Sequence, residues 1–161
     1  MPDGDEVVAL LTADDDMTVV VRGHLCLEAM LNVLLERVVP NELTHLQALR
    51  FPARVDLAVA LGRISPSSRG AWIKVNEIRN LFAHDLRARI NSRLADEFVA
   101  LVELRPAREA GVFLHLGHRD TPRHRIAAGI GNLWADAFNQ VMIDQARPSI
   151  PPEDEWVLEG R

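Results

Sequence analysis

Apolar side chains recur at intervals of three, four and seven through most of the chain, the period of a helix face turned to a core. Between residues 17 and 39, Val20, Leu27, Leu31, Leu34 and Val38 share one face, and Pro40-Asn41 ends the run. A second helix is expected from about Pro52, because proline suits a first turn whose N–H groups are unpaired anyway. Val55, Ala58 and Leu61 form its stripe, and Gly62 is its stop. Ser65-Pro66 repeats the cap-plus-proline start and predicts a helix over about 66–88, with Trp72, Val75, Ile78 and Phe82 inward. Leu94, Phe98 and Leu101 mark a short helix over 93–104. Thr121-Pro122 opens the last long helix, striped by Ile126, Ile130, Leu133, Ala137 and Val141, with Gly129 and Gly131 weakening its first turns. Val112 to Leu116 reads as a short strand or an ordered loop near 111–117. The expected fold class is all-α, a bundle of four to five main helices.

With 161 residues, the chain is expected to form a single domain over 1–147, followed by a flexible tail over 148–161. The amino end, Met1 to Glu6, is acidic, unlike a secretory signal. No apolar run reads as the roughly 20 residues that span a membrane. The single Cys26 sits in an apolar helical run, as a buried inert thiol would. A cytoplasmic protein without a membrane segment is the resulting expectation. The net charge of −5 argues against a general polyanion binder but leaves room for a local basic site.

That local site is legible. From Arg69 to Arg93 six basic side chains (Arg69, Lys74, Arg79, Arg87, Arg89, Arg93) face two acidic ones (Glu77, Asp85), six minus two or +4. In their midst lies Arg79-Asn80-Leu81-Phe82-Ala83-His84-Asp85. Asn80 and His84 are four apart and share a helix face. Arg79 and His84 are five apart and point about 140° away from each other on a 3.6-residue helix. One helix cannot easily aim both at one atom, whereas two copies side by side could. Arginine grips phosphate bidentately and stabilises growing negative charge. A histidine titrates near neutrality and serves as general acid or base. Such a pair suffices for metal-free RNA cleavage, in which a ribose 2′-hydroxyl attacks the adjacent phosphorus. Lys74 and Arg87 are candidate phosphate contacts.

This segment resembles the signature of the HEPN superfamily: arginine, a polar residue, three variable positions, then histidine. Phe51 to Ser65 together with Asn76 to Leu86 is similar to the mannitol-operon-repressor (MltR-like) branch, and the helix around Leu27-Glu28-Ala29 matches a glutamate-bearing helix there. The resemblance covers roughly residues 17 to 90. It implies a helical bundle and a homodimer with the motifs facing each other. It also implies Arg79 and His84 as a catalytic pair without metal or other cofactor, with Asn80 and Glu28 supporting them. The implied function is a metal-independent RNA endonuclease of toxin or defence type, with a cognate antitoxin or regulatory protein as partner. The MltR-like branch implies instead a non-catalytic transcriptional regulator or protein-binding scaffold. One subgroup adds AMP to a tyrosine just after the motif, and this chain has no tyrosine.

Other constellations read more plainly. His115, His118 and His124 with Asp120 stand among Arg119 and Arg123, cations that oppose a metal, so no metal site is expected. Asp14-Asp15-Asp16 reads as a helix-start cluster favoured by the helix dipole. Glu28 and Arg22 read as a structural ion pair or a solvent-facing edge, or, for Glu28, as a buttress of the motif.

Overall fold

A computed structural model describes residues 4–39, 46–102 and 121–146. These form α1 (Gly4–Leu11), α2 (Asp16–Glu36), a 3-10 turn (Leu46–Ala48), α3 (Phe51–Ala60), α4 (Arg69–His84), α5 (Ser92–Val99) and α6 (Pro122–Ala146). The described residues contain no strand, so the all-α class holds. The expected strand or loop at 111–117 and the tail at 148–161 lie outside the described residues.

α2 is the central element and packs on α6, α4, α1 and α3. It runs parallel to α6. At one end Arg123 Nε donates to Asp16 Oδ1 at 2.6 Å, and at the other Arg37 donates to the Val141 carbonyl at 3.4 Å. α4 runs the opposite way, because the chain just beyond it returns to the start of α2, where Ile90 N donates to Asp16 Oδ2 at 2.9 Å. Leu27, Leu31, Leu34, Trp72, Val75, Phe82, Ile126 and Ile130 close the core as their spacing predicts. Leu61 and Leu101 do not: both are about 40% exposed. Each lies beyond the last helical turn of its element, where the period no longer governs direction.

The start signals fare unevenly. Asp15 caps α2 by accepting from Thr18 N at 2.7 Å, and this bond is the main reason its carboxyl sits below the ordinary range. Thr121 Oγ1 likewise accepts from His124 N at the start of α6. Gly62 ends α3 in the left-handed region, φ 68°, where glycine carries no steric penalty. Ser65-Pro66, however, does not open α4. Residues 65–68 make their own turn, Ser68 N and Oγ both bonding the Ser65 carbonyl, and the helix begins at Arg69.

α1 was not expected. Its signal is Gly4 followed by acidic Asp5 and Glu6 in the first turn and an apolar run in which Val7 is fully buried. A further correction concerns α2. At 21 residues it is long and apolar enough to cross a membrane by length and composition alone. In this fold 56% of its most apolar 18-residue window is buried, chiefly by the helices around it.

Candidate functional site

α4 carries the motif on its last turns and ends at His84, four residues before the expected stop. The stop has a local cause. Asp85 turns extended, φ −133° and ψ 105°, and its carboxylate accepts from Arg87 N at 2.8 Å. A short acidic side chain thus offers the backbone an alternative to the helix. Ala88 N closes the turn on the Asp85 carbonyl at 3.0 Å. Asp85 is therefore the structural end of the heptapeptide.

The inward face of α4 is Ala71, Trp72, Val75, Ile78 and Phe82. On a 3.6-residue helix His84 stands opposite that face, and it is exposed. Asn80 shares its side and is half-buried. Arg79 is exposed, flanks the buried stripe and donates to Asn80 Oδ1 at 3.1 Å. Asn80 thus tethers the arginine while facing with the histidine. The expected divergence of Arg79 and His84 is retained, because both lie inside one regular helix.

The other candidates separate into two groups. Lys74 lies on the opposite flank of α4, about 140° from Arg79 by the helical period. It is bonded to Glu97 of α5 at 2.9 Å and stands 3.7 Å from Glu77. Lys74 and then Arg93 hold the Glu97 carboxyl below its ordinary range. Arg87 sits on the exposed turn after α4, three residues past His84. Arg69 is spent on Asp56 at 2.6 Å. Folding thus brings Asp56 and Glu97 into the basic segment, and the balance there becomes six minus four, or +2. Arg79, Arg87 and Arg89 are its members without a carboxylate partner among the described residues.

Glu28 pairs with Arg54 of α3, not with Arg22. Arg54 is buried and also donates to Asn32 Oδ1. Sequence reasoning missed Arg54 because it falls between the apolar positions of the α3 stripe. It also missed His24, which is 4% exposed and lies 3.9 Å from Glu28 through Nδ1. Its ring meets Phe51 with centroids 4.5 Å apart. Burial is the main influence lowering the His24 pKa; Arg79 and Arg54 add to it, while Glu28 and Asn76 oppose it. Among the described residues, His24 Nε2 and Arg54 Nε are buried with no hydrogen-bond partner. A polar layer of His24, Glu28, Arg54 and Asn76 thus lies inside the junction of α2, α3 and α4, within the field of Arg79.

Among the described residues no three His, Cys, Asp or Glu side chains gather as a metal-ligand set. His115 and His118 lie outside the described residues, and His124 pairs through Nδ1 with Thr121 Oγ1. Cys26 is buried, and burial raises its pKa, as an inert thiol requires.

No family model, curated protein or solved structure matches this chain.

Proposed function

We propose that this protein is an HEPN-type RNA-binding endonuclease whose working site is assembled from two copies of the chain. The observation that carries the reading is the outward, exposed position of His84, four residues after Asn80 on the same face of α4. A histidine retained for packing or for capping its own helix would be engaged within the fold. Arg79 supplies phosphate contact and charge neutralisation, Asn80 orients Arg79, and His84 moves the proton of the attacking 2′-hydroxyl or of the leaving oxygen. Because Arg79 and His84 diverge on one helix, Arg79 of one copy serves His84 of the other. Arg87, on the turn beyond His84, extends the phosphate track. Glu28 holds the α2–α3 junction through Arg54 and supports Arg79 at one remove. No step needs a metal.

A second reading, a non-catalytic regulator or protein-binding scaffold, is favoured by one observation. Asp56 and Glu97 quench half of the local positive excess. The test is cleavage of a single-stranded RNA in EDTA by the parent, Arg79→Ala and His84→Ala. The nuclease reading expects parent activity and a loss of about a hundredfold or more in each variant. Equal activity in all three removes the catalytic pair. No cleavage and no RNA binding by the parent leaves the scaffold.

A further inference from the structure

Between the start of α2 and the turn after α4 lies a cleft of about 390 Å³, within the roughly 300–1,000 Å³ of small-ligand sites. Buried Phe82 lines it, together with Met17, 41% exposed, and Leu86, 85% exposed. One wall is already satisfied. Asp16 accepts from Ile90 N at 2.9 Å and from Arg123 Nε at 2.6 Å, and Arg123 also donates to the Asp14 carbonyl. Asp15 gives Oδ1 to Thr18 N. Two charged groups of the lining are left over. The Asp14 carboxylate has no partner among the described residues. Arg89, from the segment after α4, donates to the Ala88 carbonyl at 2.7 Å through Nη1, and the rest of its guanidinium fork is open among the described residues.

These groups set what can enter. Apolar side chains around an open recess suit a flat ring, which covers Met17 and Leu86 by its faces. A carboxylate only accepts hydrogen bonds, and a guanidinium only donates them. The ring must therefore carry two donors side by side on one edge and two acceptors on another. Guanine has this pattern: N1–H and the 2-amino group for the carboxylate, O6 and N7 for the arginine. Uracil sets carbonyls on both sides of its single N–H. Adenine and cytosine put a ring nitrogen acceptor next to their amino group, where it faces the carboxylate unfavourably. The cleft also adjoins the motif. Arg79 lies one turn before Phe82 and about 60° round α4 from it, on the flank nearer this cleft.

We propose that this cleft is a guanine subsite, in which Asp14 and Arg89 read the edges of one unpaired base of an RNA whose backbone Arg79 holds. This rests on the reading of α4 as an RNA-binding helix and names the base that the site selects. Asp16 and Arg123 shape the wall from which Asp14 presents its carboxylate, and Met17 and Leu86 pack on the ring. Specificity comes from the base edges and general affinity from the phosphates.

The test is the binding of short labelled oligouridylates to the full chain, with circular dichroism confirming helix content of each variant. One oligonucleotide is all uridine, one has a single central guanosine, and one has inosine there, which lacks the 2-amino group. The parent is expected to bind the guanosine oligonucleotide about tenfold or more tighter than the all-uridine one, with inosine between them. In Asp14→Ala and in Arg89→Gln the ratio of the two dissociation constants is expected to fall to within about threefold. Changing a charge alters attraction to the phosphates of both RNAs alike, so the ratio isolates the base. Guanosine and uridine 5′-monophosphates form a second arm. RNA binding with no preference for guanosine, or a preference that both variants keep, overturns the subsite and leaves the RNA reading intact. Binding of the guanosine monophosphate alone, lost in Asp14→Ala, keeps the guanine subsite, makes a free nucleotide its source and overturns the RNA reading. No binding of any of these ligands by the parent overturns both.

Discussion

His24 Nδ1 stands 3.9 Å from the Glu28 carboxylate, yet burial outweighs that carboxylate and lowers the histidine's pKa. The charged groups that bear on the ring are Glu28 on its own helix, Arg54 on α3 and Arg79 on α4, with Asn76 of α4 beside them. The consequence for stability has a definite sign. In the unfolded chain a histidine takes a proton near pH 6.5, while folded His24 stays neutral to lower pH. Unfolding therefore absorbs a proton between those two values, and stability falls as pH drops from about 6.5 to the folded pKa. Below that value this group contributes no further loss. His24→Gln is expected to flatten the slope of unfolding free energy over that window, measured by urea titration at successive pH values. Identical slopes in parent and variant would remove His24 as the cause. The lowered carboxyl groups of Asp15, Asp56 and Glu97 act in the same direction but at lower pH, so the difference between the two proteins isolates the histidine.

α5 approaches α6 through one missing side chain. A Cβ at Gly129 would stand 2.4 Å from Cε1 of Phe98, a fully buried ring. Gly129→Ala gains up to about 1 kcal/mol of helix propensity but forces that ring to shift, at about 1–3 kcal/mol. A net loss of stability is expected, read as a lower urea midpoint with an unchanged slope. A double variant with Phe98→Leu is expected to lose less than the sum of its two single variants. Additive losses would mean that the two positions do not touch.

Asp16 joins three segments that are far apart in sequence. It receives Ile90 N at 2.9 Å and Arg123 Nε at 2.6 Å while opening α2. Asp16→Ala leaves Ile90 N and Arg123 Nε without their acceptor, while the guanidinium keeps the Asp14 carbonyl. The expected cost is about 1–3 kcal/mol, towards the lower end because the Arg123 side chain is a third exposed. Amide exchange at Ile90 should accelerate more than at the α6 core. Unchanged exchange at Ile90 would show that the turn after α4 is held by other contacts.

The bundle was legible because its long helices carry an unbroken apolar period, from Val20 to Leu34 and from Ile126 to Val141. Where the reading slipped, a short-range bond outcompeted the period. Ser65 closes a turn on Ser68, and Asp85 closes one on Arg87, so α4 is shorter at both ends than its pattern. The motif residues were legible as a spacing, but their partners were not. Arg54, buried against Glu28, and His24, buried beside it, are polar groups within apolar runs, and only packing reveals what satisfies them. Charge was the least legible property. A count along Arg69–Arg93 cannot include Asp56 and Glu97, which arrive from α3 and α5.

That last point separates Lys74 from Arg79. Both are basic and five residues apart, which sets them on opposing flanks of α4. Lys74 is engaged by Glu97 and Glu77, whereas Arg79 is exposed and donates to Asn80. For a single-stranded RNA oligonucleotide followed by fluorescence anisotropy, Arg79→Ala is expected to weaken binding and to reduce the salt dependence by about one phosphate contact. Lys74→Ala is expected to leave both unchanged within about twofold, since Lys74 is engaged by Glu97 and Glu77 in exposed pairs worth little to the fold. The two variants differ by the same single charge, so a general loss of positive field would weaken them equally. Equal weakening would return Lys74 to the phosphate path and remove the distinction between the two flanks of α4. A loss confined to Arg79→Ala ties RNA to the flank of α4 that carries Arg79.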